Sequence, residues 1–253
     1  MNAIIDLERA AAGHWRGTEE EWLGDWLLRA ADGFTGRANS ALPLGDPGLP
    51  LDAALTTLTS WYQARGLPPM MAIPVPLEGD SPGRALDEQL ARRGWLTRKA
   101  PAFVMVAELP AAISPGGLPA GLESRADPVP DDAWLAAYHY RGLQEQPPVM
   151  RTVLTSAADQ VFLSIRAAGT VLAIARVSFA AGWAGITAVE VSPGQRRAGL
   201  GRALTREAFA QAAGRGLRRV FLQVEVGNTA ALALYERSGF RYSHRYHYRI
   251  APQ

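Results

Sequence analysis

The sequence predicts an α/β fold, a mixed sheet with helices on its faces, built as two units in tandem. Three observations predict it. Strand-like apolar segments take turns with segments of helical apolar period along the chain. Proline and glycine are dense over residues 109–132, where neither helix nor strand continues. Residues 54–75 lie over residues 204–225 without a gap, so that Gly66 falls on Gly216, and the same spacing lays Pro43 on Pro193. Further on, "LARRGW" lies over "YERSGF", with Gly94 on Gly239. Landmarks recurring in one order mark a duplicated unit, although any helix–turn–strand built around Arg-Gly-Leu shares part of the match.

The elements follow in order. Residues 51–67 read as a helix, 68–76 as a strand, 83–95 as a helix and 100–109 as a strand. After the boundary comes a helix over 131–143. Residues 160–193 then read as three strands broken at "AAG" and "AAGW". A helix over 201–217, a strand over 218–226, a helix over 228–240 and a strand over 241–250 complete the pattern. The expected domains are residues 1–112 and 119–253.

Composition narrows the function. With 253 residues, 48% hydrophobic and 20% charged, the chain can bury a core and is not a disordered one. The formal charge is only +2, the arginines are spread among 24 acids, and no basic block with interleaved aromatics occurs, so no nucleic-acid partner is expected. The chain has no cysteine, which removes disulfides, thiolate metal sites and a cysteine nucleophile together. No apolar run approaches the ~20 residues of a membrane span. Asp6 and Glu8 stand where a signal peptide would be basic and then apolar, so a cytoplasmic protein is expected. His244 and His247 point to opposite faces of one strand, and no metal site is expected.

The most informative stretch is "VEVSPGQRRAGLGRAL", residues 189–204. It passes from an apolar strand into a helix through Arg196, Arg197, Gly199 and Gly201. A helix N-terminus exposes unpaired amides and a partial positive charge, glycines let a ligand approach, and arginines add charge-assisted contacts. Together these suit a phosphate. The spacing is not a Rossmann fingerprint, lacking the third glycine, and not a Walker loop, lacking Gly-Lys-Ser/Thr. A plain strand–helix turn with solvated arginines is the alternative.

The spacing R-x-x-G-x-G after a strand ending V-x-P resembles the acyl-CoA pyrophosphate loop of the GNAT (GCN5-related) N-acetyltransferase superfamily. Downstream, "VEVGNTAALALYERSGFR" resembles that superfamily's second cofactor motif, with Asn228 at a helix start, Tyr235 within the helix and Gly239-Phe240 after it. The resemblance covers residues 119–253 and implies acetyl-CoA as acyl donor, an amine acceptor and no metal. It implies that backbone groups of Val189 to Val191 pair with the pantetheine arm and point an amide at the acetyl carbonyl. The pyrophosphate would lie on Arg196, Arg197, Ala198, Gly199, Leu200, Gly201 and Arg202. Asn228 and Ala231 would meet the pantetheine arm, and Tyr235 would protonate the leaving thiolate. Read from its apolar helix face alone, Tyr235 has an alternative, a buried tyrosine bonded to a carbonyl.

Acetyl transfer to an amine needs a base. Alternation puts Glu190 on the opposite strand face from Val189 and Val191 and makes it the first candidate; a plain ion pair with an arginine is its alternative. His139 is the second, with Arg141 beside it in the acceptor region. In the first half the repeat replaces Arg196 by Asp46, Gly199 by Leu49, Gly201 by Leu51, Asn228 by Gly83 and Tyr235 by Leu90. That copy is therefore expected to be degenerate and not to bind acyl-CoA. Its "GFTGRANS" and "WYQARGLPP" resemble a two-domain actinobacterial acetyltransferase subfamily. Arg37, Asn39 and Ser40 are expected on its central strand, with Arg37 and Asn39 as acceptor-binding candidates. A monomer or homodimer, and an N-acetyltransferase rather than a non-catalytic acyl-CoA sensor, complete the expectation.

Overall fold

The computed structural model describes residues 3–98, 100–109, 117–139 and 146–252. The chain opens with α1 (Ala3–Ala12). A small antiparallel sheet follows, of β1 (Glu19–Leu23), β2 (Trp26–Ala30) and β3 (Leu42–Pro43). Then come α2 (Leu51–Gln63), β4 (Met70–Pro76), α3 (Pro82–Arg92), β5 (Leu96–Thr97) and β6 (Ala102–Glu108). The second half holds β7 (Leu122–Asp127), α4 (Asp132–Ala137), α5 (Val149–Leu154), β8 (Gln160–Ala167), β9 (Thr170–Ala180) and β10 (Trp183–Val191). It ends with α6 (Leu200–Gly214), β11 (Arg219–Glu225), α7 (Thr229–Arg237) and β12 (Arg241–Ile250).

Local chemistry explains the elements. Ser81 Oγ accepts from the Arg84 amide at 3.1 Å and Pro82 stands at the first position of α3, both helix-start signals. Asp131 caps α4 through the Trp134 amide at 2.8 Å. Both strand breaks read as "AAG" and "AAGW" are two-residue turns with positive φ at both positions, Ala168-Gly169 and Ala181-Gly182. That is the turn that matches strand twist. The four glycines aligned by the repeat, Gly66, Gly216, Gly94 and Gly239, share one job. Each ends a helix with positive φ, and the next residue's amide returns to a carbonyl five residues back.

One mixed sheet runs β4-β12-β6-β11-β10-β9-β8-β7, with β5 also pairing β12. The first half therefore does not close on itself. Its β6 lies between β11 and β12, and β12 in turn lies between β4 and β6. α6 and α7 cover one face over a core of Leu163, Val177, Leu204, Ala208, Val220 and Phe240. α4 and α5 cover the other through Trp134, Met150, Val153 and Phe162.

Two expectations are corrected. Arg37, Ala38 and Asn39 form a short 3-10 turn between β2 and β3, not a central strand. The buried Asn39 side chain is what makes the turn. Its Oδ1 accepts from the amides of Ala31 (2.8 Å) and Gly33 (2.9 Å), and its Nδ2 donates to the carbonyls of Phe34 (2.7 Å) and Thr35 (2.9 Å). The helix expected over 131–143 stops at Ala137, because Tyr138 turns to extended backbone, φ −89° and ψ 106°.

Candidate active site

β10 and β11 run parallel, yet only Ala184, Gly185 and Ile186 pair with Val220, Phe221 and Leu222. Beyond them the strands part. The cause lies in β10, where Thr187 faces Arg176 of β9 but Glu190 faces Ile174, so one extra residue bulges out. Ala188 takes φ +52° at that bulge, a conformation costly for a residue with a Cβ. The parted strands open a cleft of about 1230 Å³ between β10, β11 and the starts of α6 and α7. That exceeds the roughly 300–1,000 Å³ of an ordinary small-molecule pocket.

One wall is the unpaired edge of β10 at residues 188–191. Ile186, Val189 and Val191 pack on the α6 side and Ala188 on the other, so the bulge shifts the alternation by one residue between Ile186 and Val189. Glu190, half-buried, lines the cleft together with the two valines. Burial pushes its carboxyl up from the ordinary carboxylate range. The charges of His139 and Arg196 and a His139 backbone hydrogen bond pull partly back. His139 is exposed, holds the Ala137 carbonyl through Nδ1 at 3.0 Å, and stands beside Glu190 rather than among the residues lining the large cleft. Arg141 lies outside the described residues.

The next wall is the turn into α6. Gly199 is the N-cap residue with φ +80°, no side chain caps the helix, and the first helical bond to Gly199 comes from Ala203 at 3.0 Å. The amides of Leu200, Gly201 and Arg202 thus lack helical acceptors and lie at the cleft. Arg197 also holds φ +65°, which turns the chain toward the opening. Arg196, Arg197 and Arg202 form no ion pair with a described carboxylate and line the same cleft; Ala198 lies between them, exposed. Gly201 has a second reason to be glycine: a Cβ there would meet Leu234 Cδ2 at 2.9 Å, where α6 crosses α7.

α7 supplies the third wall. Asn228 Oδ1 caps it through the Ala231 amide at 3.1 Å, and both residues line the cleft. Tyr235 is 6% exposed and stacks edge-on to Phe240. Its hydroxyl lines the cleft and makes no hydrogen bond among the described residues, which removes the reading of a tyrosine tied to a carbonyl. Burial alone pushes it up to about 12, so it stays protonated at neutral pH. An open strand edge, uncapped amides, and arginines and a phenol without partners among the described residues fit acetyl-CoA.

The first half reaches the cleft through Arg37, one of the two acceptor-binding candidates in that half. Arg37 lines the cleft, donates to Gln223 Oε1 and lies 4.8 Å over the Trp15 ring. Tyr138, Thr187, Gln223, Tyr246 and Tyr248 complete that arm and were not foreseen. A signal was present in two strands, as polar residues set into mainly apolar runs: Gln223 in "VFLQVEV" and Arg176 in "LAIARVSF". Among the described residues no group of three metal-ligating side chains forms, and no helix is long and apolar enough to cross a membrane.

The comparisons agree with this geometry. The family model described as "Probable histone acetyltransferase Rv0428c C-terminal" matches residues 2–249. The "Probable histone acetyltransferase Rv0428c" of Mycobacterium tuberculosis is 32% identical over 254 residues, 97% of this chain and 73% of that protein. The "Uncharacterized N-acetyltransferase YobR" of Bacillus subtilis is 28% identical over 267 residues, 99% of each. A solved GCN5-related N-acetyltransferase from Kribbella flavida has the same fold, with a TM-score of 0.72 at 20% identity over 100% of this chain and 97% of that one. The chain therefore belongs to the Rv0428c C-terminal family and is an acyltransferase of the GNAT superfamily, with acetyl transfer as its activity.

Proposed function

We propose that the chain moves an acetyl group from acetyl-CoA directly to a primary amine, an N-acetyltransferase without a covalent enzyme intermediate. The observation that carries this is the parting of β10 from β11, which leaves one strand edge open between a carboxylate and a phenol. When bound, acetyl-CoA supplies the acyl group and a thiolate leaving group. The 188–191 backbone holds the pantetheine arm as an added strand and gives an amide to the carbonyl oxygen. The amides of 199–202 with Arg196, Arg197 and Arg202 hold the pyrophosphate. Glu190 takes the proton from the amine nitrogen, a task suited to a carboxylate whose proton affinity is raised. Tyr235 Oη gives a proton to the leaving sulfur. The chain has no cysteine, and no serine is marked as a nucleophile, so transfer within a ternary complex is favoured.

The test is thermal unfolding with and without acetyl-CoA, for the parent and for Arg196→Glu with Gly199→Trp. A ligand that binds only the folded state adds ~2.7 kcal/mol at a hundredfold excess over its dissociation constant. A rise in the parent that vanishes in the double variant supports the reading. No rise at millimolar acetyl-CoA sinks it. Thiol release during an amine screen then separates an enzyme from a sensor, free of background from a cysteine-less protein.

A further inference from the structure

The cleft has a second electrostatic character at its N-terminal arm, away from the α6 turn. Three guanidiniums gather there. Arg176 is fully buried, and its bonds go only to neutral acceptors: Gln160 Oε1 at 2.7 and 2.9 Å, the His14 carbonyl at 2.8 Å and Thr187 Oγ1 at 3.3 Å. Arg29, also buried, donates to the Ser40 carbonyl at 3.1 Å and to Ser40 Oγ at 3.3 Å. Arg37 and Arg176 both lie over the Trp15 ring, at 4.8 and 5.3 Å, and Trp15 is itself pinned by Thr35 Oγ1 at 3.0 Å. Burial and the charge of Arg37 pull Arg176 down to about 9, which still leaves it cationic at neutral pH. Burial, with Arg176 adding, lowers His14 to about 4, so it brings no charge.

Against these stand Glu8 in the adjoining recess, already bonded to His244 Nε2 at 2.7 Å, and Glu20, already paired with Arg16 at 2.7 Å; both charges act on Arg29. The recess offers about 20 Å³, room for one water, so an added anion has space only in the open cleft. Buried charge without an opposite partner is costly, and it persists where a ligand completes it. Only Arg37 of the three reaches the cleft. Across the bulge, Thr187 and Glu190 face residues two apart on β9, roughly 7 Å at ordinary strand rise.

We propose that the arm formed by Arg37, Thr187 and Gln223 holds an anionic group of the acceptor, so that the acceptor is a small amine that also carries a carboxylate or a phosphate. This rests on the reading of the cleft as an acetyltransferase site. Arg37 offers a planar fork matched to either anion. A basic peptide tail would meet the same cluster as a repulsive wall.

The test measures the unfolding midpoint of the full chain at saturating coenzyme A, so that the α6 turn is already filled. Sodium acetate or sodium phosphate is titrated at constant ionic strength. The parent is expected to show a saturable rise with one of them, and which one separates carboxylate from phosphate. Arg37→Gln weakens that response by roughly tenfold or more, the ordinary worth of a charged hydrogen bond, while Arg37→Lys keeps part of it. No saturable rise in the parent, or the same rise in Arg37→Gln, overturns the proposal. Thiol release with matched acceptors is the second readout: an amino acid against its amide, an amino-sugar phosphate against the free amino sugar, and a lysine-rich peptide. An anionic member should lead its neutral twin in kcat/KM and lose the lead in Arg37→Gln. A peptide that outruns every anionic amine overturns the proposal. Loss of the coenzyme A response itself would instead overturn the cleft reading, so the two failures are distinct.

Discussion

At the residue scale, Tyr235 and Glu190 make opposite statements about stability. The Tyr235 hydroxyl bonds nothing in the protein, so Tyr235→Phe should leave the unfolding midpoint nearly unchanged, within ~0.5 kcal/mol. It should lower kcat by ~10²-fold if the phenol is the acid. Glu190 is held in a desolvated place that raises its proton affinity above that of the unfolded chain. The folded state then binds its proton more tightly, so this residue's contribution to stability falls as pH rises from the ordinary carboxylate range through the raised one. Glu190→Gln should therefore be more stable than the parent at neutral pH, and the difference should close in acid. The same substitution should remove the acid-side limb of the kcat/KM profile, because only the ionised carboxylate accepts a proton. Melting curves across pH beside a rate profile check both. A variant less stable at neutral pH would show that Glu190 is a structural ion pair.

At the element scale, the bulge in β10 is the part that makes a cleft out of a sheet. Ala188→Val puts a β-branched side chain where φ is +52°, at a cost of about 1–3 kcal/mol. It should also straighten the strand and abolish the acetyl-CoA response, seen as a lower midpoint that ligand no longer raises. This is where reading by sequence stops. Helices, hairpin turns and the R-x-x-G-x-G turn were legible because period, capping and glycine spacing are local. The polar edge strand "LESRAD", the charged "EEEWL" strand and the short α5 carry no such period, and all three go unread. The bulge is invisible too, since nothing in "AVEV" says which residue of β9 it will face. Arg37 and Gln223 meet across 186 positions, a juxtaposition that only topology supplies.

At the scale of the whole molecule, the shared sheet decides what can be removed. A piece of residues 119–253 would leave β11 and β12 without β6 between them, and a piece of residues 3–109 would leave β4 without β12. Each should aggregate when made alone, because unpaired strand edges invite it. The two made together should restore one soluble complex. Calorimetry of the intact chain should show a single cooperative transition, and two separate transitions would mean independent halves. The first half is thus held in place by sheet completion as well as by the bond of Arg37 to Gln223. The same pairing has a consequence in time. Pro76 finds its β12 partner only at His244. At ordinary rates of synthesis the apolar strand Met70–Pro76 waits roughly ten to thirty seconds for it. During translation that strand is an open edge, and the nascent chain will lean on chaperones most when growth is warm and elongation slow.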